Sequence, residues 1–237
     1  MDNFSRNDQR RVVTDSAGLN QFLTRMYGNM ALAVLVSAFS AYLTMNTFRV
    51  QIFGYFTAHP AMVWIVLLLP IALSMGISFS ATRNPVGAFV MLMLVSIIYG
   101  VEFALIAGVY TGASIASAFV SSATIFIVMA IFGTVTKRDL SRAGSQAMAA
   151  LIALMIAYLI NMFLQSPAIT YIFSFIAVII FTVLTGWDAQ KMKQIYVNNS
   201  GQVSVSGLAV LGALQLYLDF VNLFISLLQI FGMSERN

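Results

Sequence analysis

The chain has 237 residues, of which 60% are apolar and 8% charged, against roughly 25% charge in a soluble domain. So few polar side chains cannot cover a water-soluble particle of this size, which excludes a cytosolic enzyme and turns most of the exterior toward lipid. There is no Cys and a single histidine, His59, so disulfides, thiolate metal sites, Cys nucleophiles and multi-His metal centres are excluded as well.

The expected order begins with a charged lead, residues 1–25, which has no small-residue cleavage site and reads as a retained cytoplasmic tail. Within it Leu19, Phe22, Leu23 and Met26 recur at helical spacing behind Asp15 or Ser16, the pattern of a short helix lying on the inner surface. A frayed tail running into the first span fits the same residues. A bilayer span needs about 20 apolar residues, and seven runs meet that length: 27–48, 61–80, 86–108, 113–136, 145–165, 168–189 and 207–231. The connections between them are too short to hide a soluble domain. One membrane domain, 26–232, is therefore expected, followed by a tail at 233–237. Pro70 falls inside the second span, where a kink is expected, whereas Pro60 and Pro167 mark loop ends. The fourth span carries two rows of small residues, Ala113, Ser117, Ser121 and Ser114, Ala118, Ser122, which read as helix-packing surfaces.

With seven spans, ten of the twelve basic residues fall on one side and only Arg49 and Arg236 on the other. The positive-inside rule reads this as a cytoplasmic N-terminus and an external C-terminus. A re-entrant last segment would move Arg236 inside, so charge fixes the first six spans better than the seventh. The net charge of +4 is accounted for by topology and contact with the inner leaflet, and gives no support for nucleic-acid binding.

Acids inside spans are the informative residues, because an ionised carboxylate in hydrocarbon is costly and is kept for a pathway, a relay or a partner. Asp219 lies near the middle of the last span, on a polar stripe with Gly212, Gln215, Asn222 and Ser226. That stripe must face protein or water, either as a pathway lining or as side-chain glue within the bundle. Asp188 ends the sixth span in GWDAQKMK, where it can pair with Lys191 at i+3. If the sixth and seventh helices pack antiparallel, Asp188 can instead meet Asp219, and two carboxyl groups within hydrogen-bonding reach share a proton. Glu102 lies about six residues from the outer end of the third span, able either to snorkel or to line an external vestibule. Arg83, at the inner end of the second span, is a topology anchor or a gating cation for an acidic pair.

GWDAQKMKQIY, LGALQLYLDFVNLFISLLQIFG and TKRDLS together resemble the Bax inhibitor 1, or transmembrane Bax inhibitor motif, family over roughly residues 20–232. The resemblance implies an all-α polytopic bundle of seven transmembrane helices in which a central seventh helix is wrapped by the other six. It further implies a pH-sensitive calcium leak governed by a hydrogen-bonded aspartate pair, matching Asp188 and Asp219. Arg83 occupies the place of a basic residue implicated in that family, though SATRNPVG is a loose match, and Glu102 has no assigned counterpart.

The expected function is thus a passive, proton-gated leak for calcium in a bacterial inner membrane, without enzymatic activity or a resident cofactor. Protons and calcium would be its ligands, at Asp188 and Asp219 with Gln215 and Asn222 nearby. Such a sparse oxygen set suits transient passage better than storage. Two other readings remain open. One is a non-conducting regulator that binds other membrane proteins, such as a membrane protease. The other is an intramembrane aspartyl protease, disfavoured because Leu216, Tyr217 and Leu218 precede Asp219 where those enzymes carry GxGD.

Overall fold

The computed structural model describes residues 3–199 and 204–234, with side chains described over 17–199 and 204–233. Eight α-helices account for nearly all of it: α1 (Asn3–Asn46), α2 (Arg49–Ala58), α3 (Ala61–Ser80), α4 (Pro85–Ala107), α5 (Gly112–Val135), α6 (Ser141–Leu164), α7 (Pro167–Asn198) and α8 (Val205–Ser234). No strand occurs among the described residues. All but α2 are long and apolar enough to cross a membrane, so the seven expected spans are present and in the expected order.

Their boundaries follow from local chemistry. Asn84 Oδ1 accepts from Gly87 N at 2.9 Å just ahead of α4, and Pro85 occupies the first turn, where a missing N–H costs nothing. Thr111 Oγ1 caps α5 by accepting from Ser114 N at 3.1 Å. Only two residues separate α6 from α7, and so tight a turn puts Gln165 in the left-handed region at φ 50°. The Asn161 carboxamide closes that turn, donating to Ser166 O and to Thr170 Oγ1 and accepting from Ser166 N.

Two lengths differ from expectation. The apolar positions Leu19, Phe22, Leu23 and Met26 belong to one continuous helix with the first span, rather than forming a helix of their own on the inner surface. Phe22 and Met26 are fully buried, and the Phe22 ring stacks on Tyr196 of α7 at 4.7 Å. Their periodicity is therefore that of a core face. The short α2 was not expected, since its ten residues are partly exposed and carry no buried side chain. Pro70 is buried within α3, which runs uninterrupted from Ala61 to Ser80.

The centre of the bundle is α8. Its apolar positions Ala209, Ala213, Leu216, Tyr217 and Leu223 are all fully buried, and it packs against α7, α1, α5 and α4, touching α3 more narrowly. As an unbroken helix of 30 residues it is about 45 Å long at 1.5 Å per residue, long enough for a full span. The sixth membrane helix, α7, is its principal neighbour. Encirclement is incomplete, however, because α6 packs on α7 and stands outside the ring. On α5 the row Ser114, Ala118, Ser122 is buried and continues through Phe126, Ala130 and Gly133, while Ala113 and Ser117 of the other row are exposed. The approach there is close: a Cβ on Gly133 would collide with the Gly186 backbone of α7.

Candidate functional site: a buried carboxyl pair

Antiparallel packing of α7 and α8 decides where the acids fall. Asp188 does not end its helix, because α7 continues to Asn198, and Asp219 lies midway along α8. Counted from the connection between the two helices, both stand a comparable number of turns into the bundle. They meet: each carboxyl group acts on the other across the contact between α7 and α8, with Asp188 7% and Asp219 5% exposed. Two carboxyl groups buried side by side are costly to ionise together, so the arrangement can hold a proton between them.

The surroundings are rich in acceptors. Asp188 Oδ1, Asp219 Oδ2 and Gln215 Oε1 are buried without a protein hydrogen-bond donor, and Gln215 sits one turn before Asp219 on the same face of α8. The cation that acts on both carboxyl groups is Lys191, one turn beyond Asp188. Its ammonium is also drawn over the Trp187 ring, 4.7 Å from the centroid. Arg83, expected as a topology anchor or a gating cation, is exposed in the turn between α3 and α4.

The remaining stripe residues behave differently from one another. Asn222 Nδ2 donates to Leu218 O at 2.7 Å and Ser226 Oγ donates to Asn222 O at 2.7 Å, so both bond their own helix. Glu102 of α4 is buried at 6% exposure with Oε1 unpartnered, yet it faces Tyr99 and Tyr217 rather than the pair. Tyr217 is the residue that sequence reasoning missed. Fully buried, its hydroxyl lies 2.6 Å from Ser37 Oγ of α1, so it ties α8 to α1.

As a metal site the pair is sparse. Among the described residues no group of three or more His, Cys, Asp or Glu side chains comes together, whereas resident calcium takes six to eight oxygens. Two carboxyl groups and one carboxamide suit a passing cation or a proton.

Seven apolar spans, the last of them buried at the centre, define a polytopic all-α membrane protein with an acidic pair inside it. The family model described as "Inhibitor of apoptosis-promoting Bax1" matches residues 19–236, and the chain belongs to that family. It is 37% identical over 229 residues to an uncharacterized membrane protein of Streptococcus pyogenes serotype M1, covering 97% of this chain and 100% of the relative. It is likewise 37% identical over 243 residues to the inner membrane protein YbhL of Escherichia coli K12, covering 98% and 99%. An uncharacterized protein of Rickettsia prowazekii is 30% identical over 220 residues, 92% of each chain.

Proposed function

We propose that the protein is a passive cation leak, for calcium, whose opening is set by the proton shared between Asp188 and Asp219, in a bacterial inner membrane with the N-terminus cytoplasmic. The observation that carries this reading is the pair of carboxyl groups buried together between α7 and α8. Loss of the shared proton leaves two like charges in contact in a low-dielectric core, a repulsion large enough to bias the packing of two helices. Lys191 offsets part of that charge. Gln215 and the orphan carboxyl oxygens supply acceptors for a cation during passage, while resident binding would need a fuller shell. The relatives bear the names of membrane proteins and not of enzymes. Against a protease reading, Leu216 is fully buried and Asp219 is enclosed by packed helices, so a substrate segment has no approach along α8.

Liposomes containing only this protein and a trapped calcium indicator test the proposal. The expected result is downhill calcium flux that varies with pH, no uphill accumulation under an imposed proton gradient, and flux without pH dependence for Asp219→Asn. Absence of flux until another membrane protein is added would favour the non-conducting regulator instead.

A further inference from the structure

The connection between α5 and α6, residues 136–140, is held against the far end of α7 by one side chain. Gln190, 6% exposed, donates from Nε2 to Arg138 O at 2.8 Å and accepts from Leu140 N on Oε1 at 2.8 Å. Three residues further along, Lys193 Nζ donates to Thr134 O at 2.7 Å, one of the last carbonyls of α5, where a cation also meets the negative end of the helix dipole. These bonds fix the walls of a cavity of about 310 Å³ lined by Lys137, Arg138, Lys193, Gln194 and Asn198. Its one carboxylate, Asp139, is engaged elsewhere: Oδ1 accepts from Ser141 N at 2.9 Å at the start of α6. Hydrogen bonds from the Ser141 side chain and backbone hold that carboxyl below its ordinary range.

We propose that this cavity binds the phosphate headgroup of an anionic phospholipid. Three cationic side chains and two carboxamides present donors to one concave surface, and both Arg and Lys pair with phosphate oxygens through charge-assisted hydrogen bonds. Position selects a lipid over a soluble phosphate. The cavity lies where the spans end, on the face that gathers most of the basic residues, and basic pockets between helix ends at that depth take headgroups. Phe132 and Val135, 45% and 71% exposed, lead from it onto the outer side of α5 and offer acyl chains an apolar surface. The Gln190 clamp engages backbone atoms of the loop, so the Lys137 and Arg138 side chains are left available to the ligand. The site stands independently of the proposed leak, although Gln190 and Asp188 share α7.

The test is lipid retention by the purified full chain in detergent, read by native mass spectrometry, with phosphatidylglycerol, phosphatidylcholine and inorganic phosphate as separate probes. The expected result is retention of phosphatidylglycerol over phosphatidylcholine, weakened roughly five-fold for each cation removed in Lys137→Gln and Arg138→Gln. Lys137→Arg with Arg138→Lys should retain the lipid, as should Arg49→Gln on the opposite side. Unchanged retention in the doubly neutralised protein would overturn the proposal. So would displacement of phosphatidylglycerol by millimolar inorganic phosphate, which would make the cavity a site for soluble anions.

Discussion

Tyr217 shows how much one hydroxyl can do in the middle of a membrane bundle. Its bond to Ser37 joins α8 to α1 at a fully buried point, and a buried hydrogen bond of this kind contributes about 1 kcal/mol. Tyr217→Phe should therefore lower stability by about that amount in detergent unfolding, and an unchanged midpoint would show that the network carries no net energy. The sequence made Asp188 and Asp219 conspicuous because carboxylates are rare in spans. Ser37 and Ser96 gave no such signal, since mid-span hydroxyls ordinarily bond their own helix. Both do so here, to Ala33 O at 2.9 Å and Leu92 O at 2.8 Å, while Ser37 also serves Tyr217. Lys191, three residues beyond Asp188 on α7, is a cation whose charge acts on both carboxyl groups.

At the scale of the helix, close approach is set by glycine. Gly133 of α5 leaves no room for a Cβ against the Gly186 backbone, whereas nothing lies within 4 Å of the Cβ position at Gly28 of α1. Gly133→Ala should cost about 1–3 kcal/mol by forcing α5 from α7, and Gly28→Ala should be neutral or stabilising by roughly 0.5–1 kcal/mol through helix propensity. Equal effects of the two in the same unfolding assay would contradict this packing. The four-residue spacing on α5 made two small-residue rows legible without choosing between them. The choice rests on which face meets α7 and α8, a tertiary fact that one helix's periodicity does not contain. Likewise the stripe from Leu19 to Met26 was readable as one-sided, but its partner, Tyr196 with the end of α7, lies far along the chain.

For the whole molecule, span count, order and the central place of the last helix were legible because apolar length and polar interruption are written directly in the sequence. What was not legible is that α6 stands outside the ring, because helices of similar hydropathy can occupy either position. The antiparallel meeting of α7 and α8 converts two isolated acids into one site, and the functional reading rests on their sharing a proton. Residues that act as one unit give non-additive effects when changed singly and together. The direct measurement is the pH profile of calcium flux in proteoliposomes for Asp188→Asn, Asp219→Asn and both. A shared proton predicts that either single change flattens the profile and that the double change adds nothing further. A single variant that keeps the original profile, or effects that add independently, would contradict it.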